Sequence, residues 1–380
     1  MTHEIAIVGG GTGGTVLANK LAEKLGPELD GGDVAVTLVS RDADQLYKPK
    51  WLYVPFGEAT PEEARRPVRD LVDDRIDVRI EEVVSIDTDA HELALAGGDG
   101  LRYDEVVVAT GAELVPERVP GLKEGAHHFY GEAGAVRLRD ALAEFDGGRL
   151  VLSVVGMPHM CPAAPYEFSL IVDDWLRKRG LREETELVYT YPIEAMHAKP
   201  ELAEWGEPVF ADRDITVETE FVVTEVDPDA QVVHTEDGRE EAYDLLVAIP
   251  PHTGSSLVRD SGLGEEGWIP VDQHTLEAET AEDVYAVGDA ADVPTSKAGS
   301  VAHYEAGVVA DRLAAAARGQ TPTARYDGKT ICFLESGLDE ATFISFDYDT
   351  PAVLRSPSKM LHWGKLAYNE SYWLTAKGVM

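Results

Sequence analysis

Ile5-Ala6-Ile7-Val8-Gly9-Gly10-Gly11-Thr12-Gly13-Gly14 is a short apolar run ended by a cluster of glycines. The four apolar residues predict a buried strand, and the glycines punctuate it. Val16, Leu17, Leu21 and Leu25 then recur at helical spacing until Gly26-Pro27, where the helix is expected to stop. A second apolar run, Val34 to Val39, predicts the next strand. Together these make one βαβ unit, inside which Gly9, Gly11 and Gly14 satisfy G-x-G-x-x-G. The three glycines serve the tight turn, the approach of backbone to a pyrophosphate, and helix–strand packing. The helix N-terminus, with Gly13 in its first turn, offers N–H groups to the phosphates. The unit therefore predicts dinucleotide binding. After the second strand, where an acid usually holds the ribose hydroxyls, stand Ser40, Arg41 and Asp42. Ser40 can still exchange one hydrogen bond there.

The pattern recurs faintly downstream. Val151 to Gly156 begins a second βαβ-like unit, with a helix near 166–179 and a strand at 186–190. Tyr243-Asp244 and the apolar run after it echo Tyr103-Asp104 and its run, Val106 to Ala109. The fold expected is α/β, with two Rossmann-like domains. A discontinuous dinucleotide domain (1–112 and 253–318) carries a second, degenerate one inserted at 113–252, and a small α+β region, 319–380, follows. In the second unit the glycine loop reads Gly156-Met157-Pro158-His159-Met160-Cys161-Pro162-Ala163-Ala164-Pro165-Tyr166-Glu167. Only its first glycine survives, and Pro158 and Pro162 have no N–H for a phosphate. NADH binding of the usual kind is not expected. The chain has two cysteines, Cys161 in this loop and Cys332, and taken alone they read as unrelated buried thiols.

Further segments carry a family resemblance. Tyr103-Asp104 leading to Ala109-Thr110-Gly111 resembles the Ala-Thr-Gly signature of flavoprotein disulfide reductases, and Asp283 to Ala290 their second FAD signature. The loop Cys161 to Glu167, the run Ile249-Pro250-Pro251-His252 and the segment Tyr326 to Cys332 are similar to sulfide:quinone oxidoreductases and flavocytochrome c sulfide dehydrogenases. The resemblance spans the whole chain in order. It implies FAD as cofactor, with Gly288 and Asp289 at the ribityl chain. The helix starting near Ser300 would face the pyrimidine ring, and Lys297 would stand beside the flavin. Tyr47, Pro49 and Lys50 are similar to the segment running along the isoalloxazine, and Lys365 to a lysine at the flavin end of the quinone site. It further implies a Cys161–Cys332 disulfide attacked by sulfide, with Cys161 carrying sulfur and Cys332 next to the flavin. Glu167 is then a proton shuttle or an ordinary helix-N-terminal acid. His197 either lines the sulfide side or is an idle, exposed loop histidine. Many relatives carry a third cysteine where this chain has Ala126-His127-His128-Phe129-Tyr130, which puts their polysulfide-release route in doubt.

Composition bounds the partners. Asp and Glu number 70 against 33 Lys and Arg, a net charge of −37, which excludes nucleic acid and suits a high-salt cytoplasm. No run approaches the ~20 apolar residues of a membrane span. Met1-Thr2-His3-Glu4 leads straight into a strand, so a cytoplasmic location is expected. Met360, Trp363, Ala367 and Leu374 share one helical face near the C-terminus. That stripe fits core packing, a homo-oligomer seam or a peripheral membrane contact on the inner face of the cell membrane. No metal site is read. The expected activity is FAD-dependent oxidation of sulfide with electrons passed to a quinone. A soluble sulfide dehydrogenase serving a cytochrome, an NADH:quinone oxidoreductase and a flavin redox sensor without turnover are the alternatives.

Overall fold

The computed structural model describes residues 2–379. The chain opens with β1 (His3–Val8), α1 (Thr12–Lys24) and β2 (Val34–Ser40), then adds β3 (Asp77–Ile80) and β4 (Glu105–Val108). β5 (Gly148–Val154), α2 (Ala164–Arg179), β6 (Thr185–Thr190), β7 (Ile215–Glu218) and β8 (Leu245–Ile249) follow. β9 (Val284–Ala286) and α3 (Gly299–Ala317) come next, and β10 (Thr330–Glu335), β11 (Ala341–Phe346), β12 (Val353–Leu354) and α4 (Lys359–Thr375) close the chain.

Two parallel sheets result. The first runs β9-β4-β1-β2-β3, the order of a doubly wound dinucleotide fold. The second runs β7-β6-β5-β8, again all parallel. Their inner strands are largely apolar because both faces are covered: in the second sheet Val151, Val188 and Leu246 pack against Val223, Val226 and Val233 of an antiparallel ribbon, and Leu152, Tyr189 and Val247 against helix residues such as Leu170 and Phe210. The duplication is physical. Before β4 and again before β8 the chain makes a three-stranded antiparallel ribbon whose first strand bulges, at Val83/Ser85 and at Val223/Glu225. Asp104 then accepts the Glu4 N–H on β1 at 2.7 Å, and Asp244 accepts the Arg149 N–H on β5 at 2.6 Å. The Tyr-Asp echo marks the same buckle in both units. A short antiparallel ladder, Glu113–Leu114 against His252–Thr253, joins the chain where it leaves and re-enters the first unit.

Gly26-Pro27 does not end helical structure. α1 stops at Lys24, and a further short helix runs from Gly26 to Gly31, because proline is tolerated in a first helical turn. The C-terminal piece is an antiparallel sheet, β10-β11-β12, with Cys332 opposite Ile344, and α4 packs across it. Among the described residues no helix is long and apolar enough to cross a membrane.

Candidate functional site

A cavity of about 520 Å³ runs from the glycine turn after β1 to the two cysteines. Gly9 lies at φ +119°, where a side chain is strained, and a Cβ there would collide with the Ala109 carbonyl. A Cβ on Gly14 would strike Gly9, so Gly14 supplies close packing and stays off the cavity wall. Gly11 and Gly13 line the wall, with nothing within 4 Å of a Cβ built on Gly11. Two helix N-termini open into this space, α1 and α3, and neither has a side-chain cap. Their free N–H groups and positive dipole ends suit anionic or carbonyl oxygens. Ser40, Arg41, Thr110, Gly111, Gly288 and Asp289 line the same wall. The Ser40 hydroxyl donates to the Asp42 carbonyl at 2.7 Å, so towards a ribose it is an acceptor. An elongated cavity with a side-chain-free turn at one end and two uncapped helix starts fits a dinucleotide such as FAD.

Of the 47–50 segment, Tyr47, Lys48 and Pro49 face the cavity. Lys50 does not: it pairs with Glu370 at 2.6 Å outside. Lys48 takes the inner place, its Nζ 3.0 Å from the Met160 sulfur, because the short 3-10 helix over Lys48–Leu52 separates the two side chains in direction. Lys297 bridges two segments. Its Nζ donates to the carbonyls of Asp289 at 2.9 Å and Ala291 at 3.2 Å, and its own carbonyl accepts the Cys161 N–H at 2.8 Å. Burial pulls its ammonium below the ordinary value, with Asp289 and Asp292 opposing.

Cys161 and Cys332 both line the cavity as free thiols. Cys161 sits at φ +47°, an αL position costing a non-glycine residue about 1–2 kcal/mol. The turn is held by the bond to Lys297, by Ala164 N–H donating to the Cys161 carbonyl at 2.9 Å, and by the Tyr130 hydroxyl at 3.4 Å. Burial pushes the Cys161 thiol well up, with the charges of Cys332 and Glu167 adding and Lys365 opposing. Burial and Glu167 likewise push Cys332 up to about 12 against the pull of Lys365. This pocket favours uncharged sulfur.

Glu167, in the first turn of α2, accepts from Lys365 of α4 and from the Glu335 N–H at 2.8 Å. Burial drives its carboxyl up, and Lys365 only partly compensates. For Lys365 burial is outweighed by Glu167, Tyr53 and Glu335, which hold the ammonium well above its usual range. These two tendencies pull the pair in opposite directions. The cation is the fixed charge, since two carboxylates face it, and Glu167 is the member able to gain a proton. His197 is neither exposed nor on the cavity wall. Buried behind the cysteine loop, it accepts the Lys199 N–H at Nδ1 (2.9 Å), which leaves Nε2 to donate to the Pro162 carbonyl (3.2 Å). Burial lowers it to about 4, so it is a neutral strut for that loop. Tyr53, Glu335 and His362 were not singled out from sequence. The only signal was α4 periodicity, which sets His362, Lys365, Asn369 and Tyr372 on the face opposite the apolar stripe. That stripe is no core seam: Met360 is 75%, Trp363 68% and Leu374 58% exposed.

The family model for "Pyridine nucleotide-disulphide oxidoreductase" matches residues 3–310. The mitochondrial sulfide:quinone oxidoreductase of Mus musculus is 24% identical over 358 residues, covering 91% of this chain and 78% of that protein. The sulfide-quinone reductase of Aquifex aeolicus is 24% identical over 98% of this chain and 91% of its own length. The X-ray structure of the Aquifex aeolicus sulfide:quinone oxidoreductase superposes with a TM-score of 0.87 at 22% identity, covering 100% of this chain and 92% of that one.

Proposed function

The chain belongs to the pyridine nucleotide-disulphide oxidoreductase family, and we propose that it oxidises sulfide and passes the electrons to a quinone. It is an FAD-dependent oxidoreductase. The observation that carries the substrate reading is the meeting of Cys161, Cys332, Glu167 and Lys365 in one cavity with the glycine turn. Gly9, Gly11, Gly13, Thr110, Gly111 and Asp289 would hold the cofactor, with Lys297 and the start of α3 at its flavin end. When bound, the flavin supplies a two-electron carrier between the sulfur chemistry and the acceptor.

The protein's own part begins with a Cys161–Cys332 disulfide, a neutral electrophile suited to a pocket that penalises thiolates. Hydrosulfide attacks Cys161: the new S–S bond leaves a persulfide there, the old one breaks, and Cys332 departs as thiolate. Lys365 offsets that charge, and Glu167 accepts the persulfide proton. The loop that would cradle NADH is filled instead. His159 and Met160 are buried in it and the Cys161 N–H is spent on Lys297, so few donors remain for a diphosphate. The exposed Met360, Trp363 and Leu374 stripe of α4 is read as the contact with the cytoplasmic face of the cell membrane, where a hydrophobic quinone resides.

Anaerobic sulfide added to the FAD-loaded protein should bleach the flavin, and a short-chain quinone should restore it. Cys161→Ser and Cys332→Ser should each abolish bleaching by sulfide, and NADH should bleach none of them. A flavin unmoved by sulfide removes the substrate. Reoxidation by a cytochrome but not by a quinone favours a soluble dehydrogenase.

A further inference from the structure

A second polar cluster lies behind the cysteine cavity and leads outwards. Glu335 ends β10, three residues after Cys332, and is 1% exposed. Its Oε1 accepts the Tyr53 hydroxyl at 2.7 Å, and its Oε2 lies 2.9 Å from His362 Nδ1. The Lys365 ammonium, held by Glu167, stands 5.7 Å from the centre of the Tyr53 ring. His362, in the first turn of α4, is the member that reaches solvent, with a 14% exposed side chain. The charges do not balance by pairing alone. Two buried carboxylates, Glu167 and Glu335, share one buried cation, Lys365. An uncompensated buried charge costs several kcal/mol, so the cluster must hold one more proton. That proton has two homes, a carboxyl group inside or the His362 imidazole at the rim.

Sulfide-to-quinone turnover needs such a device. Hydrosulfide, quinone and one proton give bound sulfane sulfur and quinol, so each cycle takes up a proton. We propose that His362, Glu335 and Tyr53 relay protons between solvent at the first turn of α4 and Glu167 at the cysteines, beside the fixed Lys365 cation. This assignment rests on the sulfide-to-quinone reading. His362 acts through its neighbours and is a positioning residue, faced by Glu335 on β10 and by Asp339, itself paired with Lys359. Glu167 is faced by Lys365, Glu335, both thiols and Tyr130.

Two measurements test it on full-length protein. Infrared titration, which needs neither sulfide nor quinone, should show a protonated-carboxyl band persisting above the ordinary glutamate range. The band should be lost in Glu167→Gln or Glu335→Gln and moved to higher pH in His362→Gln, where imidazole no longer shares the proton. Reoxidation of dithionite-reduced protein by a short-chain quinone should slow roughly tenfold or more in His362→Gln at pH 8. Added imidazole or lower pH should restore it. A carboxyl band and a pH–rate profile both unchanged in His362→Gln overturn the relay, even if Glu335→Gln fails to fold. Wild-type protein that sulfide does not bleach sinks the substrate reading instead, and the infrared arm then decides the relay by itself.

Discussion

Burial weighs on Cys161 and Cys332 more than any neighbouring charge, and Lys365 is the cation that opposes it at both. Lys365→Met removes that opposition and should move the pH midpoint of thiol alkylation further up in reduced protein. A midpoint higher by about one pH unit slows alkylation about tenfold at fixed pH. Iodoacetamide rates followed against pH read this directly, and rates unchanged by the substitution would show that Lys365 does not act on the sulfurs. The residues legible in sequence were those whose chemistry is local. Gly9, Gly11 and Gly14 announce themselves by spacing, and Cys161 by the loop it interrupts. Glu335 and Tyr53 did not, because their partners lie 168 and 282 residues away along the chain. Lys50 was named and Lys48 passed over because a 3-10 turn, invisible to periodicity over five residues, sets which of them points inwards.

At the level of elements, α2 is tied to the rest of the fold through Asp173, 0% exposed. It accepts from Arg182 at 2.5 Å, Arg213 at 2.7 Å and Arg177 at 3.0 Å. Arg213 also donates to the Ser336 carbonyl at 2.8 Å, linking α2 to the end of β10 that carries Cys332 and Glu335. Asp173→Ala strands these guanidinium groups and should cost about 3–5 kcal/mol, seen as a lower urea midpoint. Burial alone would raise the Asp173 carboxyl, but the arginines outweigh it and its value falls below 3.8. A depressed carboxyl contributes stability above its unfolded value, and the contribution is lost as pH drops through the folded one. Wild type and Asp173→Ala should therefore converge below pH 3.8, and a constant gap there would refute this origin. The inner strands of both parallel sheets were readable as apolar runs because they are buried on two faces, whereas the edge strands β3 and β7, partly exposed and polar at alternate positions, were not. The three-stranded ribbons before β4 and β8, short and half exposed, left only their Tyr-Asp endings as a trace.

For the whole molecule, a net charge of −37 means self-repulsion that the fold must bear. Screening shortens from about 10 Å at 0.1 M salt to about 3 Å at 1 M, so Tm should climb steadily from 0.1 to 2 M KCl. A flat or falling Tm in calorimetry would end the high-salt reading of the composition. The same acidic envelope determines how the α4 stripe meets a membrane. Apolar Met360, Trp363 and Leu374 gain by burial in any interface, while the protein as a whole is repelled by anionic headgroups. Flotation with phosphatidylcholine vesicles should then vary little with salt. With an equal phosphatidylcholine and phosphatidylglycerol mixture, bound protein should rise as KCl is added. Trp363→Ser combined with Leu374→Ser should release it from both. Binding to the anionic vesicles that instead falls with salt would assign docking to Lys359 and Lys377, at the two ends of α4, and leave the stripe free for a second copy of the chain.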